Sequence, residues 1–550
     1  MQQLSGLDTL FLQLESANMP MHIGALAIYD PSTAPNGEVR FKDILAYFAA
    51  RLHKARSFRQ RLAHVPMGVD RPFWIEDRDF DLEFHIRHIA LPHPGDWRQL
   101  CIQAARLHAR PLDMQRPLWE VTVVEGLDNV EGVPPGSFAL VSKFHHAAVD
   151  GVAANEIAAA FHEMSPDGTV DRPGKVWRPE RVPGETELLG RAALSTMRKP
   201  FEAARFASNT APRLVRTGLA LSRGEASWPA RAPRTRFNGI MSPHRVFDAR
   251  RFSLDHIRAI KGAVEGATVN DVMVSICGGA LRRYLKTRHE LPNRSLVAMA
   301  PVSVRTAGQR GDAGNRVSTL SVPIGSDISN PIDRLRAVHN ATTAAKVMSG
   351  SLGGNVMTDL ANVLPALSTG LAAKAYARWG LAQRLPPVFN TVITNVPGPA
   401  FPLYSMGSRL IANFGLGPIV HGLGLFQPVL SYNGEITVSA VSCREMMPDP
   451  AAYGACLDES FDALRKAAGV SDRRKVTKKR VPRKTSEDTG QKTGQKTGQK
   501  TGQKTGQKTG QKTGQKTSRK VTARKTTEAD GKPPRPRKKR AKRKTTPKSE

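Results

Sequence analysis

The sequence predicts a mixed α/β (α+β) protein of two halves joined by a helical crossover and followed by a disordered basic tail. Three observations predict it. Short β-prone runs alternate with helical patterns over residues 1–180, and the same mixture returns over 241–470. Strands and helices intermixed in this way build sheets covered by helices. Beyond residue 470 the apolar periodicity stops.

In the first half HIGALAIY, VTVVEG and SFALVSKF read as strands. FKDILAYFAARLHKARSFRQRL and WRQLCIQAARLHARPL place apolar residues at helical spacing. GVAANEIAAAFHEM reads as an Ala-rich helix. Residues 181–240 hold a basic amphipathic stretch, GETELLGRAALSTMRKPFEAARFASNTAPRLVRTGLALSRG, and then the Pro/Arg-rich WPARAPRTRF; together they read as the crossover. In the second half VNDVMVSICGGALRRYL reads as helix, and SLVAMAPVSV and ITVSAVS as strands. The resulting division is 1–180, 181–240, 241–470 and a tail over 471–550.

Of the formal net charge of +33, residues 471–550 carry +23. This tail holds seven consecutive TGQK units from Thr489 to Lys516 and lacks any aromatic residue, Leu or Ile. It cannot bury enough apolar surface to offset its ordering entropy. Its GQKT units are no phosphate loop, because the G-x-x-x-x-G-K-[ST] spacing and a preceding strand are absent. Its charge suits non-specific nucleic acid, anionic lipid or no partner at all. Without aromatics it has nothing to stack on bases.

The four cysteines, Cys101, Cys277, Cys443 and Cys456, show no paired spacing. They predict a cytoplasmic protein without disulfides or structural zinc. The opening MQQLSGLDTLFLQLES has no basic n-region and no long apolar core, so no signal peptide is expected. The nearest approach to a membrane span, residues 411–430, is broken by glycines, two prolines and His421.

The segment richest in chemistry is His145-His146-Ala147-Ala148-Val149-Asp150-Gly151, at the junction of an apolar strand and a helix. Side chains at a strand end reach a cleft, and Gly151 allows a tight turn. Histidine can both take and return a proton near neutrality. Three readings of the residues stand open. The histidines are strand-end residues with Asp150 capping the helix, or ligands of a metal, or an acid–base centre. Against a metal, no HExxH accompanies them, and adjacent strand residues point to opposite faces.

HHAAVDG resembles the HHxxxDG signature of the acyltransferases that include chloramphenicol acetyltransferase and condensation domains. Other stretches are similar to one family of that group, the bacterial wax ester synthase/diacylglycerol acyltransferases. These are LSGLDTLFLQLESANMPMHIGAL, Pro117-Leu118-Trp119, Asn270-Asp271-Val272, Pro301-Val302-Ser303-Val304-Arg305 and Thr394-Asn395-Val396-Pro397-Gly398-Pro399. They run in order through residues 1–468. The chain reads VMVS where that family has VVLA, a polar departure only at Ser275.

The resemblance implies two chloramphenicol-acetyltransferase-like domains with a channel between them. It implies acyl transfer from acyl-CoA to diacylglycerol or a long-chain alcohol, with acyl-CoA as co-substrate and neither cofactor nor metal. His146 takes the position of the general base and His145 supports it. Asp150 orients the loop, with Arg305 as a possible partner of this resemblance, and Gly151 permits the turn. Asn270 is read either as a helix cap or as a contact to the reaction oxyanion. Pro117, Leu118, Trp119, Asn395 and Gly398 are expected along the substrate channel, with Trp119 a packing anchor. TNVPGP reads as a turn by its own chemistry. No G-x-S-x-G elbow is present, which fits direct transfer without an acyl-enzyme. Apolar substrates imply a peripheral place on the inner membrane or on lipid inclusions. The segments 188–222 and 356–384 suit a lipid surface or packing on the body equally well. Two other functions compete: an acyltransferase acting on a polyketide or other secondary hydroxyl, and an idle scaffold tethering lipid inclusions to nucleic acid.

Overall fold

The computed structural model describes residues 1–149, 151–168, 177, 179–223, 231–303, 317–352, 368–372, 375 and 379–471. In chain order the first half forms β1 (Gln2–Gln3), α1 (Gly6–Leu14), β2 (His22–Asp30), α2 (Phe41–Ala49), β3 (Gln60–Ala63), β4 (Phe73–Glu76), α3 (Leu82–His85), β5 (Ile86–Ala90) and α4 (Trp97–Ala109). It continues with β6 (Trp119–Glu125), β7 (Phe138–His145), α5 (Gly151–Phe161) and the crossover helix α6 (Glu185–Ser222). The second half forms β8 (Arg245–Ser253), α7 (Leu254–Lys261), α8 (Val269–Lys286), β9 (Val297–Ser303), β10 (Val317–Pro323) and α9 (Pro331–Leu352). It ends with α10 (Leu381–Arg384), β11 (Thr391–Pro397), β12 (Tyr404–Ser405), β13 (Ser408–Leu416), β14 (Leu425–Tyr432), β15 (Glu435–Cys443) and α11 (Pro450–Ala467).

Two six-stranded sheets organise these elements, in the orders β12-β13-β2-β7-β6-β5 and β10-β9-β11-β14-β15-β8, beside a small β1-β4-β3 sheet. The strands expected in the first half are all present, and β2 runs antiparallel to β7 with His22 opposite His145. The free edge of β2 is closed by β13, whose Phe414 lies opposite Leu26. A strand from the second half therefore completes the first sheet, and the halves interlock in space where the sequence separates them. The apolar run 411–430 is consumed by β13 and β14. Among the described residues no helix is long and apolar enough to cross a membrane.

Helix α8 is the apolar centre of the second half, with Val272, Met273, Ile276, Cys277 and Leu281 all buried. A methyl group on Gly278 would come within 2.0 Å of the Ile324 carbonyl oxygen, so only glycine allows the helix to approach that strand end. The helix expected over 41–62 is shorter than its pattern. It ends at Ala49, and residues 60–63 pair with β4 instead. The reason is Arg51, which is buried, lies 3.4 Å over the Tyr47 ring and pairs with Glu163. That tertiary pairing and the burial of Phe58 beside Trp119 override local helical spacing.

The crossover forms α6, with Pro200 and Pro212 inside it. Its first turns pack on the body through Leu188 and Ala192, which meet Val65 and Phe73. Asp150, Arg305, most of 356–384 and the tail from residue 472 lie outside the described residues.

Candidate active site

The end of β7 delivers His145 and His146 in succession, and a single 3-10 turn over His146–Ala148 leads towards α5, whose first residue is Gly151. Two backbone hydrogen bonds anchor this junction. The His145 N–H donates to the Leu118 carbonyl at 3.0 Å and the His146 N–H to the Met21 carbonyl at 2.8 Å.

The two histidines then diverge. His145 is fully buried. Its Nδ1 accepts the Ala147 N–H at 3.0 Å, so the ring proton resides on Nε2, which donates to Glu15 Oε2 at 2.5 Å. Glu15 caps the C-terminal end of α1. Beside the same carboxylate stands His22, whose Nε2 is 3.7 Å from Glu15 Oε1, and the His108 ring meets that of His22 edge-on, with centroids 6.0 Å apart. Burial pushes His22 well below its ordinary pKa, helped by His108, Lys143 and His145. Burial holds His108 down at about 4. His108 meets the Gly417 carbonyl at 3.2 Å, which places its proton on Nε2.

His146 turns the other way and stacks on Phe11 of α1, with ring centroids 4.0 Å apart and an interplanar angle of 25°. Its Nδ1 is enclosed and, among the described residues, has no hydrogen-bond partner. The residue as a whole keeps partial exposure. Burial, with the neighbouring His145, lowers its pKa to about 4. At neutral pH this imidazole is uncharged and able to accept a proton.

Asn270 occupies the second position of α8. The cap of that helix is made by other residues: Thr268 Oγ1 accepts the Asp271 N–H at 3.2 Å, and the Thr268 N–H donates to Asp271 Oδ2 at 2.9 Å. Reading Asn270 as the cap is therefore corrected, because the capping box occupies Thr268 and Asp271. Asp271 is further held by His339 Nδ1 at 3.0 Å. The Asn270 side chain is left to meet Asn395, whose Nδ2 donates to Asn270 Oδ1 at 3.4 Å. The expected TNVPGP turn is also corrected. Asn395 lies within β11, in parallel register with Val429, and the strand persists to Pro397, the chain bending only at Ala400 and Phe401. Pairing with β14 outweighs the local turn preference, and a proline is tolerated at the strand end. Gly398 is exposed and donates its N–H to Ser431 Oγ at 3.2 Å.

Pro117, Leu118 and Trp119 are all buried. Trp119 sits among Phe58, His85 and Phe144 and donates its indole N–H to the Phe58 carbonyl at 3.0 Å. Leu118 packs with Ala147, next to His146, in a cluster with Leu4, Leu62 and Leu112. The fold thus joins PLW to the histidine loop, and Asn270 to Asn395. Among the described residues no hydrogen bond or ring contact links these two groups. Ser275, the polar departure, is buried in α8. Among the described residues no group of three or more His, Cys, Asp or Glu side chains is arranged to hold a metal ion.

Sequence reasoning missed Phe11, Glu15, His22 and His108. The opening LSGLDTLFLQLES carried the first two, but only the packing of α1 against the histidine turn gives them a partner.

The family profile described as wax ester synthase/diacylglycerol acyltransferase catalytic domain matches residues 4–273, and the WS/DGAT C-terminal domain profile matches 313–465. A Mycobacterium tuberculosis (strain CDC 1551 / Oshkosh) chain named "Putative diacyglycerol O-acyltransferase" is 33% identical over 455 residues, 82% of this chain and 87% of that one. "Probable diacyglycerol O-acyltransferase tgs2" of M. tuberculosis (strain ATCC 25618 / H37Rv) is 33% identical over 470 residues, 84% of this chain and 98% of that one. The solved wax ester synthase/diacylglycerol acyltransferase from Marinobacter aquaeolei VT8 superposes with a TM-score of 0.60 at 28% identity, covering 85% of this chain and all of that one. The two-domain acyltransferase fold expected from the sequence is the fold observed.

Proposed function

Because the chain belongs to the wax ester synthase/diacylglycerol acyltransferase family and is an acyltransferase, we propose that it makes triacylglycerol from acyl-CoA and diacylglycerol, with His146 as general base. Long-chain alcohols are a second class of acceptor, giving wax esters. The names of the relatives support the acceptor, and the observation that carries the mechanism is the uncharged His146 imidazole, stacked on Phe11 in a residue that keeps partial exposure.

An alcohol is a poor nucleophile until its proton leaves as the new bond forms. His146 Nε2 takes that proton while the hydroxyl oxygen attacks the thioester carbonyl. The tetrahedral intermediate places negative charge on the former carbonyl oxygen. In this reading Asn270, in the first turn of α8, and its partner Asn395 supply amide donors to that oxyanion, a role that their mutual hydrogen bond and the helix end, which favours negative charge, support. Collapse breaks the carbon–sulfur bond, and the departing CoA thiolate recovers the proton from the His146 imidazolium. No acyl-enzyme and no cofactor enter this scheme. Asp150 and Gly151 shape the loop in this reading.

A lipid surface is the natural meeting place for such substrates. Leu194, Met197 and Phe201 support it, since they recur at helical spacing on α6 and are 61%, 72% and 78% exposed beside Arg198 and Arg205.

The test supplies the purified chain with labelled acyl-CoA and either diacylglycerol or a long-chain alcohol, with His146→Ala alongside. Wild type forms neutral lipid, and the variant loses about a thousandfold in kcat. A wild type that forms none, or a variant that matches it, removes the assignment.

A further inference from the structure

A cavity of about 500 Å³ opens between α4, β8 and the turn that leads into α11, well apart in sequence from the histidine motif. Its wall is unusually cationic. Arg98 and Arg106 stand two turns apart on the outer face of α4, opposite the buried Leu100, Ala104 and Leu107. Arg444, exposed at the end of β15, and Arg245, buried at the start of β8, complete it.

The acidic residues of the wall are already committed. Asp248 Oδ1 accepts the Trp97 indole N–H at 2.8 Å and its Oδ2 accepts Arg250 at 2.8 Å, while Arg250 also binds Asp458 at 2.7 Å. Asp449 caps α11 by accepting the Ala452 N–H at 3.2 Å. Among the described residues Arg245 donates only to backbone carbonyls, those of Ser242 at 2.6 Å and of Asn18. Among the described residues Arg98, Arg106, Arg245 and Arg444 have no carboxylate within ion-pair distance. A buried guanidinium without a direct ion pair is costly: burial lowers the Arg245 pKa to about 10 even though nearby Cys443 and Glu445 act to raise it.

We propose that this cavity binds an organic phosphate, with Arg98, Arg106, Arg245 and Arg444 as its guanidinium wall. Guanidinium groups match phosphate oxygens two at a time, which lysine cannot reproduce. Two sources carry this chemistry: the nucleotide phosphates of acyl-CoA, a source that rests on the function proposed above, and the headgroup of an anionic lipid.

The experiment compares the full chain with the triple variant Arg98→Gln, Arg106→Gln, Arg444→Gln, which leaves the buried Arg245 in place. A control triple, Arg40→Gln, Arg258→Gln, Arg336→Gln, removes equal charge from exposed arginines elsewhere. Binding of CoA, dephospho-CoA and inorganic phosphate is read by titration calorimetry. Binding to phosphatidylcholine vesicles with and without phosphatidic acid is read by co-sedimentation. The cavity triple weakens one phosphate ligand by about tenfold or more, and the control does not. Weaker CoA with unchanged vesicle binding assigns the nucleotide; the reverse assigns the lipid headgroup; weakening of both assigns a site that accepts either. Unchanged binding of every ligand, or equal weakening by the control, overturns the proposal. CoA binding is read without turnover, so a wild type inactive in acyl transfer refutes the proposed function alone.

Discussion

Removing the Glu15 carboxylate tests how the histidine turn is held. The carboxylate accepts the His145 Nε2 proton, and this leaves Nδ1 to accept the Ala147 N–H, one residue beyond His146. Glu15→Ala orphans the Nε2–H inside a fully buried ring. If the ring shifts its proton to Nδ1 instead, the Ala147 N–H is orphaned. One unpaired buried donor costs about 1–3 kcal/mol, and loss of a charge-assisted bond adds roughly 1 kcal/mol. The variant should therefore lose about 2–4 kcal/mol in urea unfolding, whereas Glu15→Gln, which keeps an acceptor, should lose about 1 kcal/mol. Since a displacement of about 1 Å can cost a hundredfold in rate, kcat for acyl transfer should fall roughly 10- to 100-fold in Glu15→Ala, with KM little changed. The Gln variant should recover most of that loss. A Glu15→Ala protein as stable and as fast as wild type would refute the claim that α1 positions the histidine turn.

Asn270→Ala and Thr268→Ala should separate chemistry from capping on α8. The first should lower kcat by about 10²-fold or more with stability kept; the second should cost about 1 kcal/mol of stability with kcat nearly intact. Equal effects on kcat would remove the oxyanion role. Acid should destabilise the fold, because burial holds His108, His146 and His162 down at about 4 and pushes His22 well below its usual range. Between the unfolded value near 6.5 and about 4 the folded state binds fewer protons, so stability present at pH 7 is lost as pH falls through that window. The slope is about 1.4 kcal/mol per pH unit for each histidine, and a urea midpoint constant from pH 7 to pH 5 would contradict it. Leu194→Glu with Phe201→Glu should reduce flotation with phosphatidylcholine vesicles while leaving the unfolding midpoint within about 0.5 kcal/mol, since both side chains are exposed. Unchanged flotation would remove α6 from the lipid contact.

What the sequence determined by itself is what local pattern and residue chemistry encode. The strands HIGALAIY, VTVVEG and SFALVSKF, the helix VNDVMVSICGGALRRYL, the family and the histidine pair were all legible without coordinates. Periodicity sees neighbours three or four residues apart, and motifs see neighbours along the chain. Tertiary structure alone decided the rest. Arg51 ended a helix by pairing with Glu163, 112 residues away. β13 closed the first sheet on β2. Asn395 left its turn for a parallel strand and met Asn270, 125 residues distant. Glu15 found His145 at a separation of 130 residues, and Phe11 found the face of His146. Such pairings depend on which surfaces the sheets bring together. Local spacing carries no record of that choice.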